Sequence, residues 1–158
     1  MKLCLYALTG FGNTILGKAL KMSGINDTIV LTRSEPAEFP YYQCEDLLGF
    51  CRRNGITVFD SDKLDESQQY ELIAQFSPDL MVVATYHKKI PENILAIPVY
   101  KAINIHPSLL PAYRGPTPTN WAIINGEKKT GITFHFLTPK IRLGRYTFSE
   151  RISSFRFD

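Results

Sequence analysis

No apolar run in these 158 residues approaches the roughly 20 that a membrane-spanning helix needs. The opening stretch, MKLCLYALTGFG, is one strand length of apolar sequence followed by glycines. It lacks the longer apolar core and the small-residue cleavage site of a secretory signal, so it reads as the first core strand of a cytoplasmic protein. Cysteine is scarce. Cys4, Cys44 and Cys51 form no metal-ligand spacing, and an odd count without a secretory signal argues against a disulfide framework. Cys44 and Cys51 stand seven apart and fit one helix face, where small buried hydrophobes are the expected reading. No repeat, linker or low-complexity stretch interrupts the chain. With 44% hydrophobic and 21% charged residues it is expected to be one soluble globular domain with a real core.

An excess of charge is also missing from most of the chain. Residues 1–139 carry 13 basic and 13 acidic side chains, and the net +3 comes from residues 140–158. A nucleic-acid-binding surface usually spreads basic residues among aromatics over one face. A short basic tail does not meet that description, so nucleic acid is not expected as a partner.

Strand-like and helix-like segments alternate along the sequence. Strands are expected over residues 2–8, 27–32, 56–59, 79–85, 102–105 and 130–137. Helices are expected over 14–23, 41–54, 65–76, 91–97 and 118–125, three of them stopped by Gly24, Gly55 and Gly126. Residues 79–85 read DLMVVAT, which suits a central parallel strand buried on both faces. Such alternation implies βαβ units, and hence an α/β domain whose sheet is parallel or mostly parallel. Ligands of such sheets bind beyond the carboxyl ends of the strands. The loops after Leu8, Thr85 and Ile105 fall there.

Asn104 and His106 lie two apart at the end of one of these strands. A strand's period of two puts both side chains on one face and turns Ile103 and Ile105 to the other. Pro107 then ends the ladder. Ser108 and Arg114 follow in a loop stiffened by Pro107, Pro111, Pro116 and Pro118. Spacing alone also permits a loop histidine with no task. The turn around Gly10, Gly12 and Asn13 can cradle a phosphate at a helix N-terminus, although glycine there also simply permits a tight turn. His87 has a ligand-facing and a surface reading. His135 alternates with Phe134 and Phe136 and is read as structural.

Residues 102–115 read AINIHPSLLPAYRG, and the likeness runs on through Pro116-Thr117-Pro118 and Trp121-Ala122-Ile123 to Gly131-Ile132-Thr133. This resembles the signature of formyltransferases that use 10-formyltetrahydrofolate. It covers residues 80–140 well and the first 80 loosely. The resemblance implies a three-layer Rossmann-like domain, with a mostly parallel twisted sheet and helices on both faces. It also implies 10-formyltetrahydrofolate as co-substrate, with the N5-formyl form as a ligand, and no metal. Asn104 would donate to the oxyanion formed when an amine attacks the formyl carbon, and His106 would stabilise that charge and relay protons. By the same resemblance Tyr86, His87, Lys88, Ile90, Thr138, Pro139 and Lys140 would hold the folate. Gly10, Gly12, Asn13, Ser108, Arg114 and Trp121 would meet the acceptor.

One departure stands out. The family has an Asp two residues before a Gly, in the pattern D-x-G-D-I. This chain reads Arg142-Leu143-Gly144-Arg145-Tyr146. Arg142 occupies the place of the catalytic acid, and a permanent guanidinium can neither accept the amine's proton nor support a charged imidazole. The chain also stops soon after, so the domain is expected to be truncated or altered after about residue 141. The stretch Tyr113–Pro118 with Trp121-Ala122-Ile123 resembles the sugar-nucleotide enzymes of this family, which implies a nucleotide-linked 4-amino-4,6-dideoxy sugar as acceptor. Glycinamide ribonucleotide and methionyl-tRNA are the alternatives. A catalytically inactive folate- or nucleotide-binding homologue is the reading of another class. The sequence leaves the oligomeric state open, a homodimer included.

Overall fold

The computed structural model describes residues 1–34 and 45–137, and the backbone of 148–156. In chain order its elements are β1 (Leu3–Ala7), α1 (Phe11–Ser23), β2 (Thr28–Thr32), α2 (Leu47–Arg53), β3 (Thr57–Asp60), α3 (Glu66–Phe76), β4 (Leu80–Ala84), α4 (Glu92–Leu95), β5 (Ala102–His106), α5 (Pro118–Ile124), β6 (Lys129–Leu137) and β7 (Phe148–Arg156). They build one seven-stranded sheet in the order β3-β2-β1-β4-β5-β6-β7. The pairings from β3 to β5 are parallel, and those of β5 with β6 and of β6 with β7 are antiparallel. This is the α/β, mostly parallel sheet expected from the alternation, with the Rossmann-like layering that the resemblance implies.

Both faces of the sheet are covered, which is why its central strands are apolar throughout. On one face Cys4, Tyr6, Met81, Val83 and Ala102 pack with Ile73 of α3 and Ile94 of α4. On the other, Leu5, Ala7, Val30 and Ala84 pack with Leu16 of α1 and with Leu47 and Cys51 of α2. Each fully buried Val, Leu, Ile or Met among them contributes about 1.5–3 kcal/mol relative to exposure. The strand order reverses direction between β1 and β4. Their carboxyl ends therefore open a crevice that no crossover helix fills.

Three expectations change. The first helix begins at Phe11 and not at Thr14. Asn13 Oδ1 accepts from the Gly10 N–H at 2.9 Å, so the expected turn becomes the start of the helix. The second helix begins at Leu47, because Asp46 caps it by accepting from the Gly49 N–H at 3.0 Å. Residues 41–44, including Cys44, lie outside the described residues. The third change is at the end. Part of the basic tail is β7, an antiparallel edge strand beside β6. Its sequence, FSERISSFR, alternates too weakly to announce a strand, and its partner supplies the ladder.

Candidate functional site

A cleft of about 760 Å³ opens at the carboxyl ends of β1, β4 and β5. Leu8, Thr9 and Phe11 line it after β1, and Thr85, Tyr86 and His87 after β4. Asn104 to Pro107 line it at the end of β5, and Gly115 to Asn120 form the remaining wall. Thr85 and Thr117 both sit in the left-handed backbone region, at φ 55° and 52°. Such strain in non-glycine residues costs on the order of 1–3 kcal/mol each, and it gathers at functional sites.

Asn104 and His106 both reach this cleft, as the parity of the strand requires. Register explains what holds them. Asn104 pairs across the ladder with His135, and His106 with Thr133. The Asn104 amide Nδ2 donates to His135 Nε2 at 3.0 Å. His135 Nδ1 in turn donates to the Phe136 carbonyl at 3.3 Å. An amide NH₂ only donates and a carbonyl only accepts, so His135 is neutral with its proton on Nδ1. Burial holds it in that form by pushing its pKa below the ordinary value, and the neighbouring His106 adds to this. Among the described residues, the second N–H of Asn104 and its Oδ1 have no partner. His106 is fixed in the opposite tautomer. Its Nε2 meets the Tyr113 carbonyl at 2.9 Å and must carry the proton. Nδ1 is then the nitrogen with a lone pair.

The other expected ligands divide. Tyr86 and His87 line the cleft. Tyr86 stacks edge-on against Tyr6 with ring centroids 4.9 Å apart, and burial raises its phenol pKa. His87 Nε2 is 3.2 Å from Asp62 Oδ1, and Lys88 also pairs with that oxygen. The Lys88 ammonium, then His87, hold the Asp62 carboxyl below its usual range. Lys88 does not line the cleft, and Ile90 is buried in the core beside Ile94. Thr138, Pro139, Lys140 and Arg142 lie outside the described residues.

Of the expected acceptor residues, none lines the cleft. Gly12 is explained by packing. A Cβ there would lie 2.8 Å from Ala7 Cβ and 3.0 Å from Leu47 Cδ2. The Asn13 amide closes the turn, accepting from Gly10 and donating from Nδ2 to the Glu45 carbonyl at 3.2 Å. Ser108 is buried and donates to the Ala112 carbonyl at 2.8 Å, so it fastens its own loop. Arg114 is exposed, and Trp121 is 54% exposed on α5. Sequence reasoning placed the loop after Leu8 at the site without singling out Thr9 and Phe11, and it missed His135 as the partner of Asn104 and the 115–120 wall. The register of β5 against β6 supplies His135, and no local pattern reports it. Among the described residues no cluster of three His, Cys, Asp or Glu could hold a metal. No helix there is long and apolar enough to cross a membrane.

Residues 18–153 match the family model described as formyl transferase, and the chain belongs to that family. Among relatives, the methionyl-tRNA formyltransferase of Acetivibrio thermocellus is 49% identical over 84 residues, which is 53% of this chain and 27% of that protein. The methionyl-tRNA formyltransferase of Pelotomaculum thermopropionicum is 42% identical over 98 residues, 62% of this chain and 31% of that protein. The chain therefore covers under a third of these relatives' length. Among solved structures, phosphoribosylglycinamide formyltransferase from Streptococcus pneumoniae superposes with a TM-score of 0.70 at 21% identity, over 99% of this chain and 84% of that one. A sugar 3N-formyl transferase, solved with dTDP and 5-N-formyl-THF, gives 0.65 at 20% identity, over 100% of this chain and 53% of that one. At these identities the two structures speak for the fold.

Proposed function

We propose that this cleft transfers a formyl group from 10-formyltetrahydrofolate to a primary amine. The observation that carries the reading is the pair Asn104 and His106 facing one cleft in a chain of the formyl transferase family. The amine nitrogen attacks the formyl carbon, and the carbonyl oxygen becomes an oxyanion. The free N–H of Asn104 donates to that oxygen, and His135 fixes the amide so that the donor needs no reorganisation. His106 Nδ1 takes the proton that the attacking nitrogen must lose and returns it to the folate N10 as the carbon–N10 bond breaks. The folate lies along Tyr86 and His87, whose rings meet at 62° with centroids 4.9 Å apart.

For the acceptor we propose a nucleotide-linked 4-amino sugar. The Pro116-Thr117-Pro118 stretch, which resembles the sugar-nucleotide enzymes, lines the cleft and supports it, whereas Trp121 does not line the cleft. A second reading is methionyl-tRNA, supported by the names of relatives 42–49% identical over 84–98 residues. The test is to incubate the protein with 10-formyltetrahydrofolate and, separately, amino-sugar nucleotides, glycinamide ribonucleotide and methionyl-tRNA, following release of tetrahydrofolate. Release with one acceptor class supports the reading and names the acceptor. Binding of 5-formyltetrahydrofolate without release for any amine would favour the non-catalytic homologue.

A further inference from the structure

The loop between β5 and α5 contains a tyrosine in an unusual place. Tyr113 has φ 55°, the left-handed region that a bulky side chain disfavours. Its carbonyl is the acceptor for His106 Nε2. Its phenol donates to Glu127 Oε1 at 2.6 Å and accepts from Asn125 Nδ2 at 3.4 Å. Glu127 is itself fixed, because its N–H donates to the Ala122 carbonyl at 3.0 Å and so closes the end of α5. One residue thus bridges a rigid helix end and the imidazole at the cleft.

We propose that Tyr113 is a positioning residue. Its phenol, anchored on Glu127, holds its own carbonyl where His106 Nε2–H must donate, and this decides which imidazole nitrogen is the base. The inference rests on the reading of His106 as the proton carrier. A neutral imidazole has one N–H and two tautomers. A carbonyl at Nε2 accepts only, so it selects the tautomer with the lone pair on Nδ1. The selection lasts only while the peptide after Tyr113 keeps its orientation. A left-handed tyrosine persists only where its surroundings over-determine it, and losing the phenol's anchor weakens that hold on the carbonyl. The hydrogen bond to Glu127 also raises the phenol's pKa, which keeps it a donor. Ser108 Oγ, on the other side of the loop, reaches the Ala112 carbonyl at 2.8 Å and the Tyr113 carbonyl only at 3.4 Å, so it fastens the chain one residue earlier.

The test reads the tautomer directly. In protein labelled with ¹⁵N-histidine, long-range ¹H–¹⁵N spectra above histidine's titration range distinguish Nδ1–H from Nε2–H. His106 is expected as Nε2–H in the wild type and as a mixture in Tyr113→Phe and Glu127→Ala. Glu127→Gln keeps the wild-type tautomer, because an amide oxygen still accepts from the phenol. In formyl transfer, Tyr113→Phe and Glu127→Ala lower kcat about tenfold with KM unchanged, the size of one lost orienting hydrogen bond. Glu127→Gln stays within about twofold. An Nδ1–H tautomer in the wild type overturns the proposal. So does an unchanged tautomer in folded Tyr113→Phe or, if that variant does not fold, in the surface variant Glu127→Ala. If no amine is formylated by the wild type, the proposed function fails while the spectra still decide this inference.

Discussion

Replacing Asn104 with alanine separates two roles that its amide holds at once. One N–H donates to the buried His135 Nε2 at 3.0 Å, and the other is free toward the cleft. Alanine leaves the His135 nitrogen without this donor in a site where the residue is 3% exposed. Losing one such hydrogen bond costs about 0.5–1.5 kcal/mol. In a domain of this length each kcal/mol moves Tm by about 2–4 °C, so Tm should fall by about 1–6 °C. The catalytic loss is larger. Removing one preorganised oxyanion donor costs about 10²–10³ in kcat, or roughly 2.7–4 kcal/mol. The assay is single-turnover transfer from formyl-labelled donor at saturating acceptor, run well below the variant's Tm, so that lost folding does not pass for lost chemistry. A fall in Tm with kcat within about threefold of wild type would refute the oxyanion role. It would leave Asn104 as a structural partner of His135 alone.

His106→Ala should lower kcat by at least about 10²-fold, since general acid–base groups supply about 10²–10⁴; near-normal turnover means the motif is not catalytic here. Gly12→Ala should destabilise, because the added Cβ meets Ala7 Cβ at 2.8 Å. Overpacking of about 1–3 kcal/mol outweighs a helix-propensity gain of at most about 1 kcal/mol, and a higher Tm in thermal melts contradicts this. His135 is held below its ordinary pKa by burial, so as pH falls the unfolded chain takes up the proton first. The stability it contributes is full above about pH 6.5, the unfolded value, and declines below it. Urea melts at several pH values should show the advantage of wild type over His135→Gln shrinking below that point; a pH-independent difference rules the coupling out. The chain as given should transfer formyl groups slowly, and Arg142→Asp should restore activity only in part. The motive is Arg142, a permanent cation in the segment that, by resemblance, would carry the acid. Steady-state rates of about 1 s⁻¹ for the unaltered chain, within the usual enzyme range, contradict it.

Much of the architecture is local in origin, and so it was readable in the sequence. The apolar run over residues 79–85 announced a strand covered on both faces, and Leu80–Ala84 is that strand. Asp65 and Gln68 cap α3 reciprocally, which a short polar pattern can state. The period of two puts Asn104 and His106 on one face, and both line the cleft. What lay beyond reach depends on pairing between distant segments. His135 is 31 residues from Asn104 and meets it through the register of an antiparallel ladder. Gly12 looked like a ligand turn, and only the approach of Ala7 and Leu47 shows a packing constraint. The tail became β7 because β6 offers it an open edge. The sequence alone determined the family, the layered fold and the two side chains at the strand's end. Tertiary structure decided the tautomers of both histidines, because a proton's place on an imidazole is set by whichever carbonyl or amide the fold brings to its other nitrogen.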